Sequence, residues 1–284
     1  MKYVFFGTPE FAVIILEKLI QAGLMPEAVI CNFDKPVGRK QIVTPPPVKA
    51  SIKHQASRIK DKIKIFQPQD KTELLEIIKN LQPDLAIVAA FGMIFPKKIL
   101  IIPKYGFINV HPSLLPKYRG PTPIQTAILN GDKETGVGLF LVDEEIDKGK
   151  IIANSKLQIV NSDNYETLSK KLAELGADLL IKTLPDFVAG KITPLPQNES
   201  RATYTKKFST QDAYIEPKDL ETAQNQRGEI AIEISRKIRA LNPEPGVWTI
   251  KDGKRMKILE AEIVDGRLKL KKIQIEGKNP ILYN

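Results

Sequence analysis

Residues 1–31, MKYVFFGTPEFAVIILEKLIQAGLMPEAVIC, decide the fold. Tyr3 to Phe6 is an unbroken apolar run, short enough for one buried strand. Pro9 to Ala22 then places Phe11, Ile14, Ile15 and Leu19 at helical spacing, with Pro9 suited to a first turn. Ala28 to Cys31 is a second apolar run. Strands without polar alternation, joined through a helix, predict a parallel sheet covered on both faces.

The pattern continues outward. Ile63–Phe66 and Leu85–Ala90 are further strands, separated by a helix over Lys71–Leu81 that buries Leu74, Leu75, Ile77, Ile78 and Leu81. Asn164–Ala189 is helical, with Leu168, Leu172, Leu175, Leu179 and Leu180 inward. The predicted class is α/β, a Rossmann-like doubly wound, mostly parallel sheet, whose ligands bind beyond the carboxyl ends of the strands. Residues 1–189 form this domain, and 190–205 thin into Pro, Asn and Ser as a linker. Residues 206–284 form a smaller domain with a helix over Glu229–Leu241. Its short strands near 247–250, 256–264 and 268–275 are parted by Gly253 and Gly266, the pattern of a small β-barrel.

The turn Gly7-Thr8-Pro9 lacks the later glycines that let a pyrophosphate approach, and no phosphate-cradling loop occurs elsewhere, so a nicotinamide dehydrogenase is excluded. No apolar run approaches the roughly 20 residues a membrane span needs. Met1-Lys2 leads directly into a strand rather than a signal peptide, so the expected location is cytoplasmic. The single Cys31 reads as a small buried hydrophobe, and with 2 His the chain is too poor in soft ligands for a metal cluster.

The 43 Lys and Arg against 33 Asp and Glu give a net charge of +10. Residues 201–284 hold 17 basic and 12 acidic side chains, making that end the denser positive surface. Such an excess serves solubility or a phosphate backbone.

A second stretch carries the chemistry: residues 106–147, GFINVHPSLLPKYRGPTPIQTAILNGDKETGVGLFLVDEEID. Asn109 and His111 alternate on a strand and so share a face. Pro112 and Pro116 then hold a non-helical path. A strand over Val137–Val142 leads to Asp143, Glu144, Glu145 and Asp147. An amide, an imidazole and a carboxylate together can stabilise an oxyanion while moving a proton. His54, in a basic stretch, is surface.

These residues resemble the folate-dependent formyltransferases. The pattern is Asn109-x-His111, then Ser113-Leu114-Leu115-Pro116, Tyr118-Arg119-Gly120, and Asp147 before Gly149. Further matches are FFGTPEFA at 5–12, the loop from Asp34 to Lys49, and RALNPEPG at 239–246. The resemblance implies an enzyme that transfers the formyl group of 10-formyltetrahydrofolate to the amine of methionyl initiator tRNA. An amino sugar or other small amine is the alternative acceptor.

It further implies catalysis by Asn109, His111 and Asp147 without a metal, and an OB-like second domain. The folate wall would come from Phe91, Gly92, Met93 and Ile94 with Ser113, Leu114, Leu115, Pro116 and Asp143. Lys35, Arg39 and Lys40 would contact tRNA, and the enzyme would be a monomer. From composition alone, 32–48 also reads as a solvated basic loop and 89–96 as ordinary core cover. The chain departs from the pattern in having Lys148 and Lys150 around Gly149, Thr126 where Trp or Arg is usual, and a long polar segment at 220–228.

Overall fold

The computed structural model describes residues 1–38, 40–54 and 62–283. In chain order the elements are β1 (Tyr3–Gly7), α1 (Glu10–Gln21), β2 (Ala28–Ile30), β3 (Lys35–Val37), β4 (Ile42–Thr44), α2 (Pro47–His54), β5 (Lys64–Phe66), α3 (Lys71–Leu81), β6 (Leu85–Ala89), α4 (Lys97–Leu100), β7 (Phe107–His111), α5 (Pro123–Leu129), β8 (Glu134–Leu141), β9 (Ile151–Gln158), α6 (Tyr165–Val188), α7 (Pro217–Asn225), α8 (Glu229–Leu241), β10 (Trp248–Lys251), β11 (Lys254–Val264), β12 (Arg267–Ile275) and β13 (Ile281–Leu282).

Seven strands form one sheet in the order β5-β2-β1-β6-β7-β8-β9. The run from β5 to β7 is parallel, and β8 lies antiparallel to β7. The chain winds from β1 outward to β2 and β5, then returns to β6 on the other side of β1. That reversal opens a crevice at the carboxyl ends, the usual ligand position of such sheets. All five residues of β1 and of β6 are buried, as their continuous apolar sequence requires. Gly7 ends β1 because a Cβ there would lie 2.5 Å from the Ala12 Cβ and 3.1 Å from the Ala89 carbonyl.

α1 buries Phe11, Ile15 and Leu19, while Ile14 is half-buried. Asp70 starts α3 by accepting from the Thr72 and Glu73 N–H groups, and Glu73 bonds back to the Gln69 N–H. The face of α3 carrying Leu74, Ile78 and Leu81 enters one core with Phe6, Phe91, Phe95 and Phe107. Along α6, Leu168, Leu172 and Leu180 are buried, whereas Leu175 and Leu179 are half-buried.

Contacts divide the chain into two compact units. The first comprises residues 1–120, 136–157 and 169–204, and the second 121–135, 158–168 and 205–284. Of residues 190–205, expected as linker, 190–204 group with the sheet, where Gln197, Glu199 and Tyr204 bond to Arg119. The segment holding α5 groups with α8.

In the second unit β10-β11-β12-β13 form an antiparallel meander. These are the short strands of the expected smaller β domain, and a further bridge pairs Trp248 of β10 with Tyr214. α8 buries Ala231, Ile234, Ile238 and Leu241. Asn242 fixes the turn that follows: its amide donates to the Ile258 and Leu259 carbonyls and accepts from the Val247 N–H. The polar segment at 220–228 contains the end of α7.

Candidate active site

β7 delivers Asn109 and His111 to the end of the sheet on one face, in register with Phe140 and Gly138 of β8. Val110 between them points the other way, toward Gly176 of α6. His111 is buried, its ring edge-on to Phe140 with centroids 6.2 Å apart. Its Nε2 lies 2.9 Å from the Tyr118 carbonyl. A carbonyl only accepts, so in the neutral ring Nε2 carries the hydrogen and Nδ1 presents a lone pair. That Nδ1 stands 3.7 Å from Asp147 Oδ2, beyond hydrogen-bonding distance. A proton taken up on Nδ1 therefore lands facing a carboxylate.

Asp147 is held in place by its surroundings. Its Oδ2 accepts from the Gly120 N–H at 2.7 Å, and its backbone adopts φ +51°, which Asp tolerates better than most residues. Two residues on, a Cβ at Gly149 would collide with the Leu141 carbonyl. Only glycine lets this turn fold under the end of β8. The half-buried Asn109 amide makes no side-chain hydrogen bond among the described residues, so its two donors are available to a substrate oxygen.

Residues 113–120 form the floor. Ser113 is fully buried and its hydroxyl donates to the Lys117 carbonyl at 2.6 Å. Leu115 is buried near Gly138, Leu114 packs against Gly136, and Pro116 is half-buried with its carbonyl accepting from the Thr203 N–H. These four residues shape the loop. Arg119, wholly buried, is its anchor. The guanidinium donates to Gln197 Oε1 at 2.8 and 3.0 Å, to both Glu199 oxygens at 2.8 and 3.1 Å, and to the Tyr204 hydroxyl at 3.0 Å. The hydrogen bonds to Glu199 and then Tyr204 raise the Arg119 pKa, and the Arg119 hydrogen bond lowers that of Glu199. Sequence reasoning quoted Arg119 as part of a motif without a role and missed Gln197 and Glu199 altogether. The available signal was a lone arginine in a stretch otherwise built for burial.

The other expected residues are spread more widely. Phe91 is buried, its ring 5.2 Å from Phe6 and 6.0 Å from Phe95, so it belongs to the core. Gly92 turns the chain at φ +77°, Met93 is half-buried and Ile94 is exposed. Asp143 is exposed and accepts from the Glu145 N–H. Lys35 and Lys40 are exposed on the β3–β4 hairpin, and Arg39 lies outside the described residues. Lys49 bonds both Asp34 oxygens at 2.7 and 3.0 Å and Gln67 Oε1 at 2.7 Å, tying the two ends of the hairpin segment together. The Lys49 and Gln67 hydrogen bonds hold the Asp34 pKa below its usual value.

Two regions of the chain match family models: residues 1–184 that described as "Formyl transferase", and residues 229–269 that described as "Formyl transferase, C-terminal domain". The chain belongs to the formyl transferase family. A curated relative of this formyl transferase, the methionyl-tRNA formyltransferase of Caldicellulosiruptor saccharolyticus, is 39% identical over 98% of this chain and 93% of its own.

Among solved structures, methionyl-tRNA formyltransferase from Clostridium thermocellum shares the fold at TM-score 0.63 and 18% identity, covering 97% of this chain and 98% of that one. HypX from Aquifex aeolicus, solved with tetrahydrofolic acid, superposes at TM-score 0.67 and 16% identity over 99% of this chain. The formyl transferase spans 45% of the HypX chain, somewhat under half.

No helix among the described residues is long and apolar enough to cross a membrane. A polar cleft of about 1250 Å³ lies wholly within the second unit. It is lined by Arg236, Arg239, Lys257 and Lys271 together with Glu166, Glu260 and Glu262. Burial and the neighbouring Arg236 lower the pKa of Arg239, whose guanidinium donates to the Asp163 carbonyl.

Proposed function

We propose that this formyl transferase moves the formyl group of 10-formyltetrahydrofolate to the α-amine of methionyl initiator tRNA, using Asn109, His111 and Asp147. The observation that carries the reading is the aim of His111. Nε2 is committed to the Tyr118 carbonyl, which leaves the Nδ1 lone pair beside Asp147 and two strand positions from the Asn109 amide, which has no side-chain hydrogen bond among the described residues.

The amine attacks the formyl carbon, and the formyl oxygen becomes an oxyanion stabilised by the Asn109 N–H groups. His111 Nδ1 takes the proton that the attacking nitrogen sheds, and Asp147 stabilises the imidazolium. As the tetrahedral centre collapses, the bond to folate N10 breaks and N10 receives that proton. Formylmethionyl-tRNA and tetrahydrofolate leave, and no net charge is made.

The curated relatives support tRNA as the acceptor over an amino sugar, with 39% and 42% identity across nearly the whole chain. The net charge of +10 and the exposed Lys35 and Lys40 suit a phosphate backbone. Met93 and Ile94 beside Gly92 offer apolar surface to the flat pterin ring of the donor.

Formylation assays supplied with 10-formyltetrahydrofolate test this, with methionyl initiator tRNA, uncharged tRNA and amino sugars as acceptors. Only the charged tRNA should turn over, and His111→Ala should lower kcat by about 10²–10⁴. Equal turnover of an amino sugar, or an undiminished His111→Ala enzyme, would defeat the proposal.

A further inference from the structure

Gln197 lies in the stretch PLPQNES, whose prolines and polar residues read as connector, yet its side chain is 9% exposed and all of its hydrogen-bonding capacity is used. Oε1 accepts two hydrogen bonds from Arg119, at 3.0 and 2.8 Å. Nε2 donates two, to the Asp147 and Gly149 carbonyls, both at 2.8 Å. One amide thus joins the arginine under the 113–120 loop to the turn that bears Asp147. The two ends of this joint both reach His111. The loop supplies the Tyr118 carbonyl to Nε2, and the turn supplies the carboxylate opposite Nδ1. Gly120, next to Arg119, closes the ring by donating to Asp147.

We infer that Gln197 is a positioning residue for the transfer reaction: through the Asp147–Gly149 turn it sets the separation between the Asp147 carboxylate and the His111 ring. This rests on the catalytic roles proposed for those two residues. The turn has reason to need a tether. Asp147 stands in the left-handed region, and the 3.7 Å gap to Nδ1 is wider than a hydrogen bond, so its distance from the ring is set by what holds the turn: the Gly120 N–H on Oδ2 and the Gln197 amide on the backbone. A shift of about 1 Å in a reacting group can cost about 10²-fold in rate.

Glutamate at this position separates the two halves of the joint. Gln197→Glu keeps, and strengthens, acceptance from Arg119, but loses both donors to the turn and sets a carboxylate against two carbonyls. Gln197→Met removes both halves at similar volume. Each is measured alone and combined with Asp147→Asn, reading kcat, KM for both substrates and the melting temperature.

Gln197→Glu should lower kcat roughly 10- to 100-fold. KM for either substrate should stay within about threefold, and folding should be retained. On the Asp147→Asn background the same change should cost less than about twofold, since the group it positions is already gone. Gln197→Met should show the same non-additivity. Full, multiplicative losses in the double variants, or a fall in melting temperature with kcat preserved, would overturn the inference and leave Gln197 a structural tie. An Asp147→Asn enzyme at the wild-type rate would instead remove the catalytic reading itself, a separate result seen before Gln197 is changed.

Discussion

The floor of the site and the β3–β4 hairpin are built on opposite terms. In the floor, Ser113 donates to the Lys117 carbonyl, Tyr118 and Arg119 bond Thr203, Arg119 bonds Gln197, and Arg119 has no exposed surface. The hairpin has three residue pairs, and its apolar side chains face outward: Val37 is 56% exposed, Ile42 61% and Val43 66%. Its described side-chain tie to the rest of the unit is at its base, where Lys49 holds Asp34 and Gln67. The contrast fits the two tasks proposed for them. Donors and bases that act on a transition state gain most when set before the substrate arrives. An element that grips a large flexible partner keeps its contacts unmade until then.

The floor is the place to break the contrast hardest. Arg119→Leu removes five hydrogen bonds and leaves the buried Gln197 Oε1 without its donors, and should destabilise the protein by about 3 kcal/mol. Thermal unfolding checks this, with a fall in Tm of roughly 6–12 °C expected. A Tm within about 1 °C of wild type would mean the floor can relax, and the rigid half of the comparison would be lost.

The hairpin should respond in binding rather than in stability. Lys49→Met frees Asp34 and Gln67 at its base while leaving the site residues untouched. The expected outcome is a KM for charged tRNA raised roughly three- to tenfold, with KM for the folate donor and kcat little changed. Steady-state kinetics with each substrate varied in turn would show it. A matching loss in kcat would place the clamp among the groups that shape the site.

Legibility in the sequence divides along the same line. β1, β2 and β6 are readable because each is a continuous apolar run whose burial is a local property, and they and the edge strand β5 fall within a residue or two of the expected ends. Asn109 and His111 share a face because strand alternation dictates it. The hairpin reads as loop because Pro36 stands within β3, where a proline is tolerated only at an unpaired edge. β9 was missed because its alternation of half-buried and exposed residues carries almost no apolar signal.

The Arg119 network was unreadable for a different reason. Its partners lie 78 to 85 positions away, in a stretch whose Pro, Asn and Ser content mimics solvated chain. Phe91 is a different case. Its aromatic ring reads equally as ligand wall or core cover, and in the fold it packs against Phe6 of β1 and Phe95 of its own connection, a cluster that local sequence does not reveal.

The mildest probe of the floor is pH. Glu199 is half-exposed, and the Arg119 hydrogen bond lowers its pKa from the usual 4.5. A carboxylate with a depressed folded-state pKa contributes stability above its unfolded value, and loses it as pH falls through the folded one. The Arg119–Glu199 contribution should therefore be complete at pH 7 and decline below about pH 4.5. In Glu199→Gln the Arg119 cation keeps an acceptor but no charge. The Tm difference between wild type and this variant should be small at pH 7 and shrink further on acidification. Paired melts at pH 7, 5 and 4 read that difference directly, with acid effects elsewhere in the chain cancelling between the two proteins. A gap that widens in acid would have the wrong sign for an ionised Glu199 and would leave Gln197 and Tyr204 as the partners that hold Arg119.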